Sequence, residues 1–446
     1  MQNGRGIFLY SFFAAVIALV FKLSWLPAPL PEEADLAVFS AGRARDALPD
    51  ELSTVHAANG NKSACTFLIS STFVKIGLLM EISRVLRHRG GLQNSLVSFN
   101  ETLDLEICTV INLKGQRSGG REILLHAGNL WVAKAYAKAA RGRGHATSIF
   151  QNTGPGIFFS IGDTDSAIQR FGELLLPLLD ALDASVARGI STEEKDDEAI
   201  YFDILGSTVV VYGVKSTAFW LHTMMAELLV FIGMFIERPG IFKLLTMLLS
   251  LLVAAAGGAI FPLYSLAAKS SMFMPSHPAA VAGLIVAPAV AAWSFFYWKF
   301  LTSITSRSLF IHGRCIFGMF MTILTLCRSP ASYLPMLWVA FPCAFSIFNW
   351  LVPGSFALAV ALGYTIPVAC TVQVFAALLE FPINWNPLRL GAALGFLVGV
   401  ILLGCIDLFQ GLNFHKVGRY AFAFFLASLF FEVFVRLNYD AYKSAN

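Results

Sequence analysis

Charge is what this sequence has least of. Only 13% of its 446 residues are Asp, Glu, Lys or Arg, while 57% are hydrophobic. Soluble globular chains carry about a quarter charged residues, so this composition excludes an ordinary soluble protein. There is also little imbalance of sign: 32 Lys+Arg against 28 Asp+Glu. That excludes a basic DNA- or RNA-binding protein, and no nucleic-acid partner is expected. Cysteine is scarce in the polar part of the chain, where only Cys65 and Cys108 occur. A disulfide there is allowed but not required, and the remaining cysteines fall in apolar sequence where buried thiols are common. What the chain does have is long hydrophobic runs with forty Phe, eight Trp and eleven Tyr, the make-up of a lipid-facing protein anchored at the membrane interface.

Polarity is distributed unevenly, and three regions follow. Residues 1–31 form an N-terminal membrane anchor: an apolar run from Ile7 to Leu26, broken only by Lys22, is stopped by Pro27, Pro29 and Pro31. A signal-peptide core is the other reading of this run, although no clean small-x-small cleavage site follows. Residues 32–215 have soluble composition. Residues 216–446 are a multi-span transmembrane region, with spans expected at Phe219–Ile236, Phe242–Ala267, Ala280–Leu301, Leu309–Leu326, Tyr333–Val352, Phe356–Leu379, Leu390–Phe409 and Tyr420–Leu437. With a cytosolic N-terminus, short-loop charge puts Arg5, Arg238, Lys243, Arg307, Lys416 and Arg419 on the cytosolic side and only Lys269, Arg328 and Arg389 opposite. Residues 32–215 are then lumenal. Two glycosylation sequons, at Asn61 and Asn100, lie in that segment.

Within 32–215 strand-like and helix-like patterns alternate. Strands are expected at Ala64–Ser71, Leu96–Phe99, Cys108–Leu113, Glu122–His126, Ala146–Phe150 and Ile157–Ile161. Helices are expected from Thr72 to Gly90, from Leu130 to Arg141 and from Asp165 to Val186. The fold class is therefore an α/β lumenal domain with a mostly parallel sheet, joined to an all-α polytopic bundle. Chemistry in such domains collects beyond the carboxyl ends of the strands, yet the connection after Ser71 is almost absent. His56, His88, His126 and His145 show neither His-x-Asp nor His-Glu-x-x-His spacing, so solvated or hydrogen-bonded structural roles suit them better than metal ligation.

Several spaced passages carry a resemblance. Ile111-Asn112-Leu113, Gly119-Gly120-Arg121-Glu122, Trp131 and Ala135-Tyr136, then Gly162-Asp163-Thr164-Asp165 and the stretch Tyr201-Phe202-Asp203-Ile204-Leu205-Gly206 with Tyr212, resemble the endoplasmic reticulum metallopeptidases and related vacuolar membrane proteases. The resemblance covers most of the chain. It implies a zinc-aminopeptidase-like sandwich, truncated here, between one N-terminal helix and a polytopic region in the endoplasmic reticulum membrane, with lumenal peptides as substrates and zinc as cofactor. Two zincs would lower the pKa of a shared water and polarise the scissile carbonyl while a Glu takes the proton. Carried over residue by residue, that chemistry is mostly missing. The His-x-Asp loop and bridging Asp would fall between Ser71 and Thr72, and the last histidine segment between Gly172 and Glu173; both are absent. Glu101 and Asp163 alone match metal-ligand positions, as vestigial ligands, and no catalytic residue is assigned. The chain reads as a shortened relative of a peptidase or as a pseudoenzyme: a binding scaffold for a lumenal peptide or protein client in a lipid bilayer.

The membrane half offers a rival seat of function. Hydrocarbon penalises charge, so His222, Glu227, Arg314, Asp407 and Glu432 are candidate polar sites for a transporter-like protein, with interhelical pairing as the plainer role. No internal repeat of the transporter kind is visible.

Overall fold

The computed structural model describes residues 28–35, 38–46, 109–112, 123–127, 129–140, 144–150, 157–160, 165–191, 197–204, 206, 208–237, 240–267, 281–352, 356–380, 387–409 and 413–445. The expected anchor helix, both sequons, Cys65, Cys108, Glu101, Asp163 and the elements expected between Ala64 and Phe99 lie outside these residues. The chain divides into two compact units: Ala18–His222 together with Leu324–Tyr333, and a second unit that takes Met1–Ile17, Thr223–Ile323 and Leu334–Asn446.

The first unit is built on a short helix α1 (Ala41–Asp46), strands β1 (Thr109–Asn112) and β2 (Ile123–Ala127), helix α2 (Leu130–Ala139), strands β3 (His145–Ala146) and β4 (Ile157–Ser160), the long helix α3 (Asp165–Ala187), and a hairpin of β5 (Ala199–Ile204) and β6 (Thr208–Gly213). The first four strands form one sheet in the order β1-β4-β2-β3. β1 pairs with β4 and β2 with β3 in parallel, while β2 and β4 run antiparallel. β2 returns parallel through α2. The ten residues 147–156 between β3 and β4 are too few for a helical crossover, which needs a dozen or more residues, so β4 reverses direction.

The expected strand over Ala146–Phe150 is a correction. Only His145–Ala146 is strand, and Ser148–Phe150 turns into a 3₁₀ helix. Ser148 leaves the sheet because its hydroxyl accepts from the amide of Tyr201 and donates to the carbonyl of Pro330. The family-like stretch Tyr201–Gly206 belongs to a hairpin that the expected strands do not include. β-Branched and aromatic residues on both sides of Gly206 carry that signal, and Gly206 has the positive φ (+68°) that the turn requires.

The core of this unit is made of Leu124, Trp131, Tyr136, Phe171, Leu178 and Tyr201, all buried. Leu130, Val132, Ala133 and Ala135 add the rest of the inward face of α2. Residues 28–46 are fastened to α3 by Gln169, whose Oε1 accepts from the amides of Ala41 (2.9 Å) and Leu30 (3.2 Å) and whose Nε2 donates to Phe39 O (2.8 Å). The Phe39 ring then lies across Gly172, where a Cβ would stand 2.3 Å from Phe39 Cδ1. Arg43 organises the same segment by donating to the carbonyls of Glu32, Ala34, Asp35 and Val38.

The helical remainder comprises α4 (Thr217–Glu237), α5 (Ile241–Ala267), α6 (Ala287–Phe296, entered through the π turn Ala282–Val286 and left through the π turn Tyr297–Leu301), α7 (Ser306–Leu326), α8 (Tyr333–Leu351), α9 (Phe356–Glu380), α10 (Pro387–Gly404) and α11 (Phe414–Ala445). Each coincides with one of the eight apolar runs. Among the described residues four helices are long and apolar enough to cross a membrane, at Ile241–Leu266, Ala282–Leu301, Arg307–Leu326 and Pro330–Asn349, with shorter apolar helices at Phe219–Phe235, Gly363–Phe375 and Leu388–Gly404. The chain is thus compatible with a helical membrane bundle.

Small residues set the closest helix pair. Ala254, Gly258 and Pro262 on α5 face Gly391, Gly395 and Gly399 on α10, each set spaced by four residues and so on one helix face. A Cβ on Gly258 would lie 2.6 Å from Gly391 O and 2.7 Å from Gly395 Cα. Backbone therefore meets backbone, the contact that drives helix association where no hydrophobic effect operates.

Candidate functional site

The structure brings two of the five intramembrane candidates together. Arg314, on α7, is 3% exposed, and its Nη2 lies 3.6 Å from Asp407 Oδ1. Asp407 sits in the 3₁₀ turn Ile406–Phe409 just past the end of α10. Tyr364 on α9 donates to Asp407 Oδ2 at 2.6 Å. Three rings, Phe310, Phe317 and Tyr364, lie 4.9, 6.0 and 5.7 Å from the guanidinium carbon, within cation–π range.

Arg314 is chiefly a donor to backbone. Its Nη1 donates to Trp338 O at 2.6 Å and its Nη2 to Gly404 O at 2.5 Å. Both acceptors need a partner. Pro342, inside α8, has no N–H to offer the carbonyl four residues back, which is that of Trp338. Gly404 ends α10 and its carbonyl has no amide ahead of it. The indole of Trp338 donates to Thr371 Oγ1 (3.0 Å), which itself donates to Pro367 O (2.7 Å). This arrangement ties α7, α8, α9 and α10 together at the points where helical hydrogen bonding is interrupted, with Asp407 neutralising the cation.

Glu227 and His222 make contacts of their own elsewhere. Glu227 on α4 accepts from Thr322 on α7 at 3.2 Å. Glu432 lies on α11, and its side chain is outside the described residues. His222, the further polar candidate, is exposed with its ring 5.7 Å from that of Tyr212. Burial raises the pKa of the half-buried Tyr212 above its usual value.

In the sheet-bearing unit, His145 Nδ1 lies 3.4 Å from Asp203 Oδ2. The Asp203 carboxylate also accepts from the amides of Ala146 (2.9 Å) and Gly206 (2.6 Å), and Tyr136 donates to His145 O (2.8 Å). A Cβ at Gly206 would strike His145 Cε1 at 2.5 Å. Asp203 thus holds the β5–β6 turn against β3. Sequence reasoning places Asp203 in a family-like passage but does not pair it with His145; a single acid in an otherwise apolar strand is the signal. Nearby, Thr147 Oγ1 and Tyr333 OH share a hydrogen bond of 2.8 Å, and the Tyr333 ring stacks on Phe202 at 4.6 Å and 9°.

Glu101 and Asp163, the metal-ligand matches, lie outside the described residues together with Asn61 and Asn100. Among the described residues no group of three or more His, Cys, Asp or Glu side chains is placed to hold a metal ion. Compared with known proteins, the chain matches no family model, no curated protein and no solved structure.

Proposed function

We propose that this chain is a multi-pass protein of the endoplasmic reticulum membrane whose lumenal segment, residues 32–215, is built on a truncated zinc-aminopeptidase-like α/β scaffold and binds lumenal peptide or protein without hydrolysing it. One observation carries the reading. At Gly172 and Glu173, where the resemblance calls for a further histidine-bearing segment, α3 runs unbroken and Phe39 fills the space over Gly172. Gln169 spans to Glu173 Oε1 at 3.0 Å and holds the Phe39 carbonyl. A metal-ligand loop has no room there unless the 28–46 segment is displaced.

The character of the matched residues supports the same reading. Trp131, Ala135, Tyr136, Tyr201 and Phe202 are buried, and Asp203 is a backbone-holding acid. Residues of this kind preserve a fold; they do not polarise a carbonyl or deliver a proton. The binding role proposed for the chain accordingly does not depend on zinc. The guanidinium of Arg314 is engaged by carbonyls of its own bundle, which supports the plainer role of interhelical pairing.

The test uses the full chain purified in detergent, with zinc measured by elemental mass spectrometry, aminoacyl and dipeptide reporters assayed for cleavage, and an extended fluorescent peptide titrated by polarisation. Saturable peptide binding with zinc below one equivalent and no cleavage is expected. Two zincs per chain with turnover would overturn the proposal, and so would absence of peptide binding.

A further inference from the structure

We propose that the membrane edge where the end of α6 meets the start of α11 binds the phosphate-bearing headgroup of an anionic phospholipid.

The edge is set by one contact between helices far apart in the chain: the His415 ring, at the start of α11, lies 4.6 Å from the Trp298 ring at the end of α6.

The edge has the two chemistries that a phospholipid presents together. Lys299, Lys416 and Arg419 are exposed, and no described carboxylate pairs with any of them. Lys416 and Arg419 are three residues apart on α11, and Arg419 is one turn beyond His415, so these groups share the helix face that meets Trp298. Lys299 follows Trp298 directly within the π turn Tyr297–Leu301, a widened helical turn of a kind often found at functional positions. Beside the cations, Trp298, Phe300 and Tyr420 are 47%, 54% and 74% exposed. Free phosphate would use only the cations. A lipid uses both, its acyl chains against the rings and its phosphate against the ammonium and guanidinium groups. The edge is anchored from within: Phe414 packs 4.3 Å from Tyr297, and a Cβ at Gly418 would lie 3.3 Å from Ser294 Cβ.

The test is native mass spectrometry of the full chain released from detergent micelles supplemented with phosphatidylserine or phosphatidylcholine. Retained phosphatidylserine with little phosphatidylcholine is expected. Each basic group near a charged bilayer surface contributes about 1 kcal/mol, so Lys299→Gln/Lys416→Gln/Arg419→Gln should lower phosphatidylserine affinity roughly a hundredfold. Lys243→Gln, on α5, should leave it within about twofold. Lys416→Gln/Arg419→Gln provides an intermediate step if the triple variant fails to fold, with a loss of roughly thirtyfold expected. Equal loss on substituting Lys243, equal retention of phosphatidylcholine, or displacement of the lipid by millimolar inorganic phosphate would each overturn the proposal.

Discussion

Arg314 donates to the carbonyl of Trp338, the acceptor that Pro342 leaves without its helical amide. A charged side chain inside an apolar helix is thereby matched to a defect in a neighbouring helix, and each accounts for the other. Arg314→Leu should lower the thermal stability of the detergent-solubilised protein, because buried carbonyls stripped of a donor cost about 1–3 kcal/mol each. Pro342→Ala restores an N–H to α8 and should recover part of that loss. A double-mutant cycle followed by fluorescence-detected gel filtration after heating reads the coupling. Strictly additive effects would refute this account of Arg314.

The α5–α10 contact makes a separate prediction. Gly258→Leu should prevent the two helices from approaching and abolish a monodisperse elution profile, since even a Cβ at this position meets Gly391 O at 2.6 Å. Gly240→Ala, where no atom lies within 4 Å of the added Cβ, should elute as the unaltered protein does. Matching profiles for both variants would show that the close approach contributes nothing.

The helices were largely legible in the sequence because uninterrupted apolar runs bounded by Gly, Pro and charge have few alternatives. α2 and α3 were legible too, from their repeating inward faces. The hairpin β5–β6 is harder to read, because neither Ile200–Asp203 nor Val209–Val211 alternates apolar with polar, so only β-branched and aromatic character marks the strands. The pairing of Arg314 with Asp407 joins residues far apart in the chain, and no local pattern encodes it. Pro342 held the one usable hint, because a proline inside a helix implies an unpaired carbonyl four residues earlier and hence a donor somewhere else.

Tyr333 should prove decisive for the sheet-bearing unit. Tyr333→Phe removes the bond to Thr147 and keeps the stack on Phe202, which should cost about 1 kcal/mol. Tyr333→Ala removes both, and about 3–5 kcal/mol is expected for an aromatic truncated in a core. Hydrogen exchange at β5 reads the difference. Equal protection in the two variants would place the stabilisation elsewhere.

Alkaline pH should weaken the same unit through Tyr201. Burial raises its pKa well above the ordinary value of 10.0. The unfolded tyrosine ionises near pH 10 while the folded one stays neutral, so stability is unaffected below that pH and falls as pH rises above it. Tyr201→Phe should move the onset of alkaline unfolding upward, measured by circular dichroism alongside tyrosinate absorbance. An unchanged onset would exclude Tyr201 as the group responsible.

Membrane sidedness can be read at Cys327, an exposed thiol in the segment that belongs to the sheet-bearing unit. In sealed microsomes containing the Cys65→Ser/Cys108→Ser chain, a membrane-impermeant maleimide should label Cys327 only after permeabilisation. Labelling of intact vesicles would reverse the orientation.

The bond between Thr147 and Tyr333 joins residues 186 positions apart, and that from Gln169 to Phe39 spans 130. A ribosome adding about 5–20 residues per second takes roughly ten to forty seconds to cover the longer interval. During that time Phe202 and the hydroxyl of Thr147 have been made and their partner has not. The sheet-bearing unit can therefore close its contact between Thr147 and Tyr333 only after the whole of α4 to α7 has been synthesised.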